Sequence, residues 1–307
     1  MKIGFGTILT WFHASPVHLA RAAERLGFES MWMGEHLFIP VDIKNPYLYG
    51  VELPPNYKHM PEPFIWLTAA AAVTSTLKLG MNVCLVPQRE PLLLAKQVAC
   101  LDRISNGRLI FGIGAGWIEE EAEIMGYPFN KRWAKTMEGV RALKALWTEE
   151  KPNYAGEYVA FPPVYSYPKP VQQPHPPIII CAGSAASKNN IHGLRRVAEL
   201  GDGWAPIFLS PAQMVAELTH LKELCAAAGR DYNKLDINVI VPAVTLGVGE
   251  KLASLGAQAV EQRDPHELIA EYEAAGVRRI IIGFGDLTET GGVQVLEDAA
   301  RILNLRG

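Results

Sequence analysis

Two periods of apolar residues take turns along this chain. Short apolar runs occupy Lys2–Ile8, Ser30–Gly34, Leu77–Val86, Arg108–Ile113, Pro177–Ala182, Gly203–Ile207, Asp236–Leu246 and Arg279–Phe284. Between them lie segments whose apolar residues recur every three or four positions: Pro16–Leu26, Pro63–Thr74, Leu92–Ile104, Ile118–Met125, Lys131–Trp147, Ser187–Leu200, Pro211–Ala228, Pro265–Ala275 and Val293–Leu303. The first pattern predicts strands and the second helices. Gly27 and the pair Asn106-Gly107 supply stop signals after two of the helices. Pro177–Ala182 is apolar without interruption, as expected of a strand covered on both faces.

Eight strands, each followed by a helix, predict an α/β protein with a parallel sheet closed into a (β/α)8 TIM barrel. One barrel domain spanning residues 1–307 is expected. An open dinucleotide-binding sheet is the competing arrangement, but no strand is followed by G-x-G-x-x-G. The nearest candidate, Gly112-Ile113-Gly114-Ala115-Gly116-Trp117, has Trp where the third glycine belongs. Two stretches exceed a minimal barrel: 37–60, after strand two, and 151–176, between strands four and five. Both are rich in Pro and aromatic residues. Long ordered loops of this kind are read as lids or binding loops, the alternative being a surface insertion.

Composition narrows the class further. The chain has 307 residues, with 29 Lys+Arg against 32 Asp+Glu. That balance gives no push toward nucleic acid or an anionic membrane. The first residues lack the layout of a signal peptide and read as a buried strand. The longest uncharged apolar stretch, Phe64 to Leu77, is too short to span a bilayer. Cys84, Cys100, Cys181 and Cys225 are far apart, with no zinc spacing. Free thiols in a reducing cytoplasm are expected.

In a barrel, chemistry collects at the carboxyl ends of the strands. Strand two ends in Gly34-Glu35-His36, and a histidine beside a carboxylate serves as acid or base near neutral pH. Strand three ends near Val83 and Cys84. Strand four runs into Gly114, Ala115 and Gly116, where alternate glycines let a flat ring or phosphate approach the backbone, or let the next helix pack closely. Strand five ends in Gly183-Ser184-Ala185 at a helix start, small residues suited to a phosphate. Trp204 closes strand six and reads either as a wall for a ring or as core. Together these describe a site for a flat, phosphate-bearing cofactor beside one histidine. No P-loop, Ser-His-Asp order or H-E-x-x-H helix is present, and no acidic metal cluster stands at the strand ends, so no metal is expected.

Residues 94–147, LAKQVACLDRISNGRLIFGIGAGWIEEEAEIMGYPFNKRWAKTMEGVRALKALW, resemble the bacterial luciferase-like monooxygenase family, closest to its branch of coenzyme F420-dependent oxidoreductases. Further matches are GFESMWMGEHL at 27–37, LKLGMNVCLVPQREPLLLAKQ at 77–97, PKPVQQPHPPIIICAGS at 168–184 and ELGDGWAP at 199–206. The resemblance covers nearly the whole chain and is weakest after about residue 230.

The resemblance implies a (β/α)8 barrel with an isoalloxazine or deazaflavin ring in its mouth. His36 falls on a histidine implicated in proton handling or in holding the reactive ring, and Glu35 is expected to orient it. Val83 and Cys84 fall at a strand-three bulge that meets the ring, where members often carry a non-prolyl cis peptide. Gly114, Ala115 and Gly116 fall on backbone that accepts the cofactor tail, and Gly183, Ser184 and Ala185 on the phosphate-binding segment. Trp11, Tyr47, Trp117 and Trp204 are the expected substrate walls. Sugar-phosphate-oxidising relatives carry an acidic residue after the strand-four glycines. This chain has Trp117 there, which argues against that substrate and that acid–base pair. The expected activity is hydride transfer between coenzyme F420 and a small organic substrate. The alternatives are an FMN-dependent two-component monooxygenase served by a separate flavin reductase, and a non-catalytic flavin-binding barrel. A homodimer is the family expectation.

Overall fold

The computed structural model describes residues 1–7, 10, 14–44, 53–185, 190–248, 263–284, 287 and 291–306. Its strands are β1 (Lys2–Thr7), β2 (Ser30–Met33), β3 (Lys78–Met81), β4 (Cys84–Leu85), β5 (Leu109–Gly114), β6 (Tyr154–Ala155), β7 (Ala160–Phe161), β8 (Ile178–Ile180), β9 (Gly203–Trp204), β10 (Asp236–Pro242) and β11 (Arg279–Phe284). Its α-helices are α1 (Pro16–Leu26), α2 (Pro63–Ala71), α3 (Pro91–Ile104), α4 (Glu119–Ile124), α5 (Arg132–Thr148), α6 (Ile191–Leu200), α7 (Pro211–Ala227), α8 (Pro265–Ala274) and α9 (Gly292–Ile302).

Five helices open on the same two-residue device. Ser15-Pro16, Glu62-Pro63, Glu90-Pro91, Ser210-Pro211 and Asp264-Pro265 each place an oxygen-bearing cap before a proline at the first helical position. The cap side chain accepts a hydrogen bond from a backbone N–H of the first turn, and the proline has no N–H to leave unpaired. Gly27 ends α1 at φ 85°, a left-handed conformation that favours glycine.

The strands pair in parallel from β1 through β2, β3, β5, β8, β9 and β10 to β11, and β11 pairs back to β1, so the sheet closes into an eight-stranded barrel. β4 continues the third strand after a break. Alternation along the strands divides the core in two. The larger layer lies between barrel and helices, and Trp32, Ile110, Ile179, Ala205, Ile240 and Ile281 fill the barrel itself. Trp32 fits only because β1 and β3 place glycines opposite it: a Cβ on Gly80 would stand 2.1 Å from the indole. The Trp32 Nε1–H donates to Ser30 Oγ at 2.8 Å, so the buried indole keeps its hydrogen bond.

Two predicted strands end differently. The third breaks at Asn82–Val83, a cis peptide bond, before resuming at Cys84. The seventh ends at Pro242, which has no N–H to donate, and turns into a short 3-10 helix over Ala243–Leu246. The insertion at 151–176 holds the antiparallel β6–β7 hairpin. Glu138 accepts three backbone N–H bonds from residues 157–159, and Asp102 accepts those of Val171 and Gln172. Among the described residues, no helix is long and apolar enough to cross a membrane.

Candidate active site

At the carboxyl ends of the barrel strands lies a cavity of about 390 Å³. Trp32, Cys181, Ile240 and Ile281 line it from the barrel interior, Phe284 from the end of β11, Trp133 from the first turn of α5, and Tyr57, Met60, Trp117 and Phe208 from the connections above. A mostly apolar hollow with a few polar groups is the usual form of a small-molecule site.

Its polar lining includes Glu35, Asn82, Ser184 and one imidazole, that of His36. β2 delivers it into the cavity, and its Nδ1 lies 2.7 Å from Glu121 Oε1. Glu121 comes from the first turn of α4, directly after the strand-four glycine segment, and its side chain is fully buried. Its second oxygen accepts from Gln88 Nε2 at 3.3 Å. A carboxylate can only accept, so Nδ1 carries the hydrogen and Nε2 is the ring nitrogen left to the cavity. Tyr57 and Trp117 flank the imidazole, with ring centroids 5.5 and 6.0 Å away. Burial, together with the Glu121 charge and against a hydrogen bond from Gln88, pushes the neighbouring Tyr127 phenol up to about 12. The preceding residue, Glu120, accepts from the Lys44 backbone N–H at 3.0 Å, which ties the strand-two loop to α4.

Glu35, expected to orient His36, has a different partner. Its carboxylate is clasped by Arg89 and accepts from the Leu85 N–H. Arg89 also reaches Glu62 at 2.7 Å. Burial works against the Arg89 charge, but the Glu35 hydrogen bonds and charge hold its pKa above the ordinary value. This buried pair fixes the segment after the strand-three break. The orienting carboxylate is Glu121, which sequence reasoning missed. A signal existed in the triple Glu119-Glu120-Glu121 after the glycines, but such a run reads equally as a solvated helix start.

Of the other predicted residues, the structure gathers Val83, Gly114, Ala115, Gly116, Trp117, Gly183 and Ser184 around the cavity. Three do not join them. Cys84 is fully buried in the strand wall; burial and the nearby Glu35 charge raise its thiol well above the ordinary range. Trp204 is fully buried as well, donating from Nε1 to Ala182 O at 2.8 Å. β9 turns Ala205 inward, so its neighbour Trp204 faces the helices. Ala185 is exposed, and its N–H donates to Ile207 O at 3.1 Å, which removes one of the donors expected for a phosphate. Trp11 and Tyr47 lie outside the described residues. From the 37–60 insertion, Tyr57 and Met60 reach the cavity; no residue of 151–176 does.

The glycines test whether a flat ring fits. A Cβ on Gly114 would stand 2.7 Å from Val83, so this glycine seats the residue after the cis bond. At Gly116 and Gly283 an added Cβ would meet only ordinary van der Waals contacts, nothing closer than 3.7 Å. Gly116 has φ +83° and Gly183 φ +90°, conformations that favour glycine. A cavity lined by glycine backbone and aromatic rings, with His36 on its wall, suits a planar cofactor such as a flavin or deazaflavin. Among the described residues, no group of three or more His, Cys, Asp or Glu side chains is arranged to hold a metal ion.

The luciferase-like monooxygenase family matches residues 14–286. An uncharacterized protein of Mycobacterium tuberculosis is 37% identical over 222 residues, which are 71% of this chain and 76% of that one. Among solved structures, monooxygenase RslO1 from Streptomyces bottropensis superimposes with a TM-score of 0.72 at 23% identity over 99% of both chains. An F420-dependent secondary alcohol dehydrogenase in complex with an F420–acetone adduct gives 0.72 at 17% identity over 98% of both. At these identities the two structures establish the fold.

Proposed function

Because the chain belongs to the luciferase-like monooxygenase family, we propose that it uses the cavity to hold a flavin or deazaflavin, with coenzyme F420 as the preferred ring, and that it passes a hydride between this ring and a small, largely apolar carbonyl or alcohol. The observation that carries the reading is the His36–Glu121 pair at the cavity wall. Transfer of a hydride to a carbonyl carbon leaves an oxygen that needs a proton, and the reverse reaction must remove one.

The bound ring supplies the redox chemistry, and the protein supplies position and proton handling. His36 presents Nε2 to the cavity while Glu121 holds Nδ1–H, so a proton at Nε2 can move to the substrate oxygen or be taken from it. The Glu121 charge beside the imidazole stabilises the ring while it is protonated. Glu35 and Arg89 fix the backbone on which Val83 and Leu85 meet the cavity. Trp117, Trp133, Phe208 and Phe284 exclude water and favour an apolar substrate.

Substituting His36→Asn tests this. Cofactor affinity is expected to persist, and turnover of a panel of small ketones and secondary alcohols to fall by about 10²-fold or more. A variant with full turnover would remove His36 from the chemistry. If reduced FMN with oxygen supports turnover and F420 does not, the monooxygenase alternative replaces the hydride-transfer reading.

A further inference from the structure

The 151–176 insertion stays out of the first cavity, but its hairpin walls a second one, of about 340 Å³. The other walls are the β4–α3 connection, the end of α4 and the first half of α5. Glu138 holds the hairpin there by accepting the backbone N–H groups of residues 157–159. Val86, Met125, Val159 and Phe161 give this cavity apolar sides. Two polar groups on its lining, Gln88 and Lys135, are not fully matched by the protein.

Gln88 is 4% exposed, and its Nε2–H donates to Glu121 Oε2 at 3.3 Å. A carboxylate accepts, so the amide nitrogen faces Glu121 and Oε1 is the end left to the second cavity. Oε1 is buried and has no hydrogen-bond partner among the described residues. An acceptor that has given up water without finding a donor is unfavourable, and native interiors seldom leave one empty. Lys135 is half-buried, with its ammonium over the Tyr127 ring at 4.3 Å and no ion pair among the described residues. Burial lowers its pKa. The other charged groups on the lining are engaged: Glu90 is exposed and accepts from the Leu93 N–H at 2.7 Å, and Arg89 is spent on Glu35 and Glu62.

An occupant that satisfies this lining carries negative charge for Lys135, a hydrogen to donate to Gln88 Oε1, and apolar surface. Chloride and sulfate have no hydrogen for Oε1, and water gains nothing from the apolar sides. The geometry points to a second binding site that takes a small hydroxy acid, its carboxylate on Lys135 and its hydroxyl on Gln88 Oε1. Gln88 thereby touches both sites, because the same amide holds Glu121, which holds His36. The second site stands whether or not the first cavity holds a flavin-type ring.

Methyl NMR on the full chain tests this, with 3- and 4-hydroxybenzoate as probes and benzoate and phenol as controls. Met125 lines the second cavity and Met60 the first, so their methyl signals report the two sites separately. Saturable binding of hydroxybenzoate is expected to move the Met125 methyl. Benzoate, without the hydroxyl, and phenol, without the charge, are expected to bind there at least about fivefold more weakly. Lys135→Gln is expected to bring hydroxybenzoate down to the phenol level with phenol binding unchanged, which also shows that the variant folds. Lys135→Arg keeps the charge and is expected to retain part of the affinity. Gln88→Leu is expected to erase the gap between hydroxybenzoate and benzoate. No saturation at Met125, a response at Met60 alone, or equal binding of all four ligands would overturn the proposal. So would a Lys135→Gln protein that binds hydroxybenzoate like wild type.

Discussion

His36 and Glu121 are 85 positions apart in the chain and meet at 2.7 Å in the interior, Nδ1 against Oε1. One comes from the end of the second barrel strand and the other from the helix after the fourth, so the barrel itself assembles the pair. With Nδ1 committed to a buried carboxylate, the imidazole has one orientation and one tautomer available when neutral.

Glu121→Gln keeps the shape and removes the charge. We expect kcat to fall about 10–100-fold with cofactor affinity retained, as for loss of a group that orients another. An unchanged KM beside the reduced kcat separates lost positioning from lost packing, which would weaken binding as well. Loss of cofactor affinity in step with kcat would indicate a structural effect only. Glu121→Asp should recover part of the loss.

The Glu35–Arg89 pair carries a stability prediction. Glu35 and Arg89 side chains are 1% and 9% exposed. Arg89→Met leaves a buried carboxylate without its cation, and urea denaturation should show a loss of about 3–5 kcal/mol. Glu35→Met combined with Arg89→Met should lose less than the sum of the single changes, because no unpaired buried charge remains.

Gly114→Ala adds a methyl 2.7 Å from Val83 Cγ2. Val83 or its strand must shift, and overpacking of this kind destabilises by about 1–3 kcal/mol. Since Val83 lines the cavity, ring binding should weaken in the same variant. Gly283→Ala, whose added Cβ meets only ordinary contacts at 3.7 and 3.9 Å, should fold normally and report on cavity space alone.

Much of this architecture was legible in the sequence, and the exceptions have physical causes. The eight strand–helix units follow from apolar periods, and the cap-and-proline starts at Ser15, Glu62, Glu90, Ser210 and Asp264 mark helix beginnings without any tertiary information. His36 and the glycines at 114, 116 and 183 were readable because strand ends in a barrel share one face. Cys84 and Trp204 were misplaced because facing is a matter of parity. The break at Asn82–Val83 resets the alternation of the third strand, so Val83 and Leu85 reach the cavity and Cys84 does not. β9 has two residues, too few to reveal which side Trp204 takes. Glu121 could not be paired with His36 from spacing at all, since that contact exists only once the barrel closes.

At the amino-terminal face of the barrel, Glu24 gives a pH prediction. Burial alone would raise its pKa, but backbone N–H bonds from Thr76, Leu77 and Ser75 and the Thr76 hydroxyl outweigh it and bring it from 4.5 to about 2. A lowered folded pKa means stability that is present above the unfolded value and lost as pH falls from 4.5 through 2. Glu24 is half-buried, so after solvent screening Glu24→Gln should lose only about 1 kcal/mol at neutral pH. The gap between wild type and variant should narrow in thermal or urea unfolding below pH 4.5. A gap independent of pH would show that the charge is not what the N–H groups hold.

The most direct measurement follows the His36 ring nitrogens by NMR while the protein is titrated with coenzyme F420 and with FMN, each oxidised and reduced. We predict saturable one-to-one binding, tighter for F420, with the His36 Nε2 signal shifting in step and the Nδ1–H bond to Glu121 kept. No saturation with either ring in either redox state, or saturation that leaves His36 unmoved, would contradict the account.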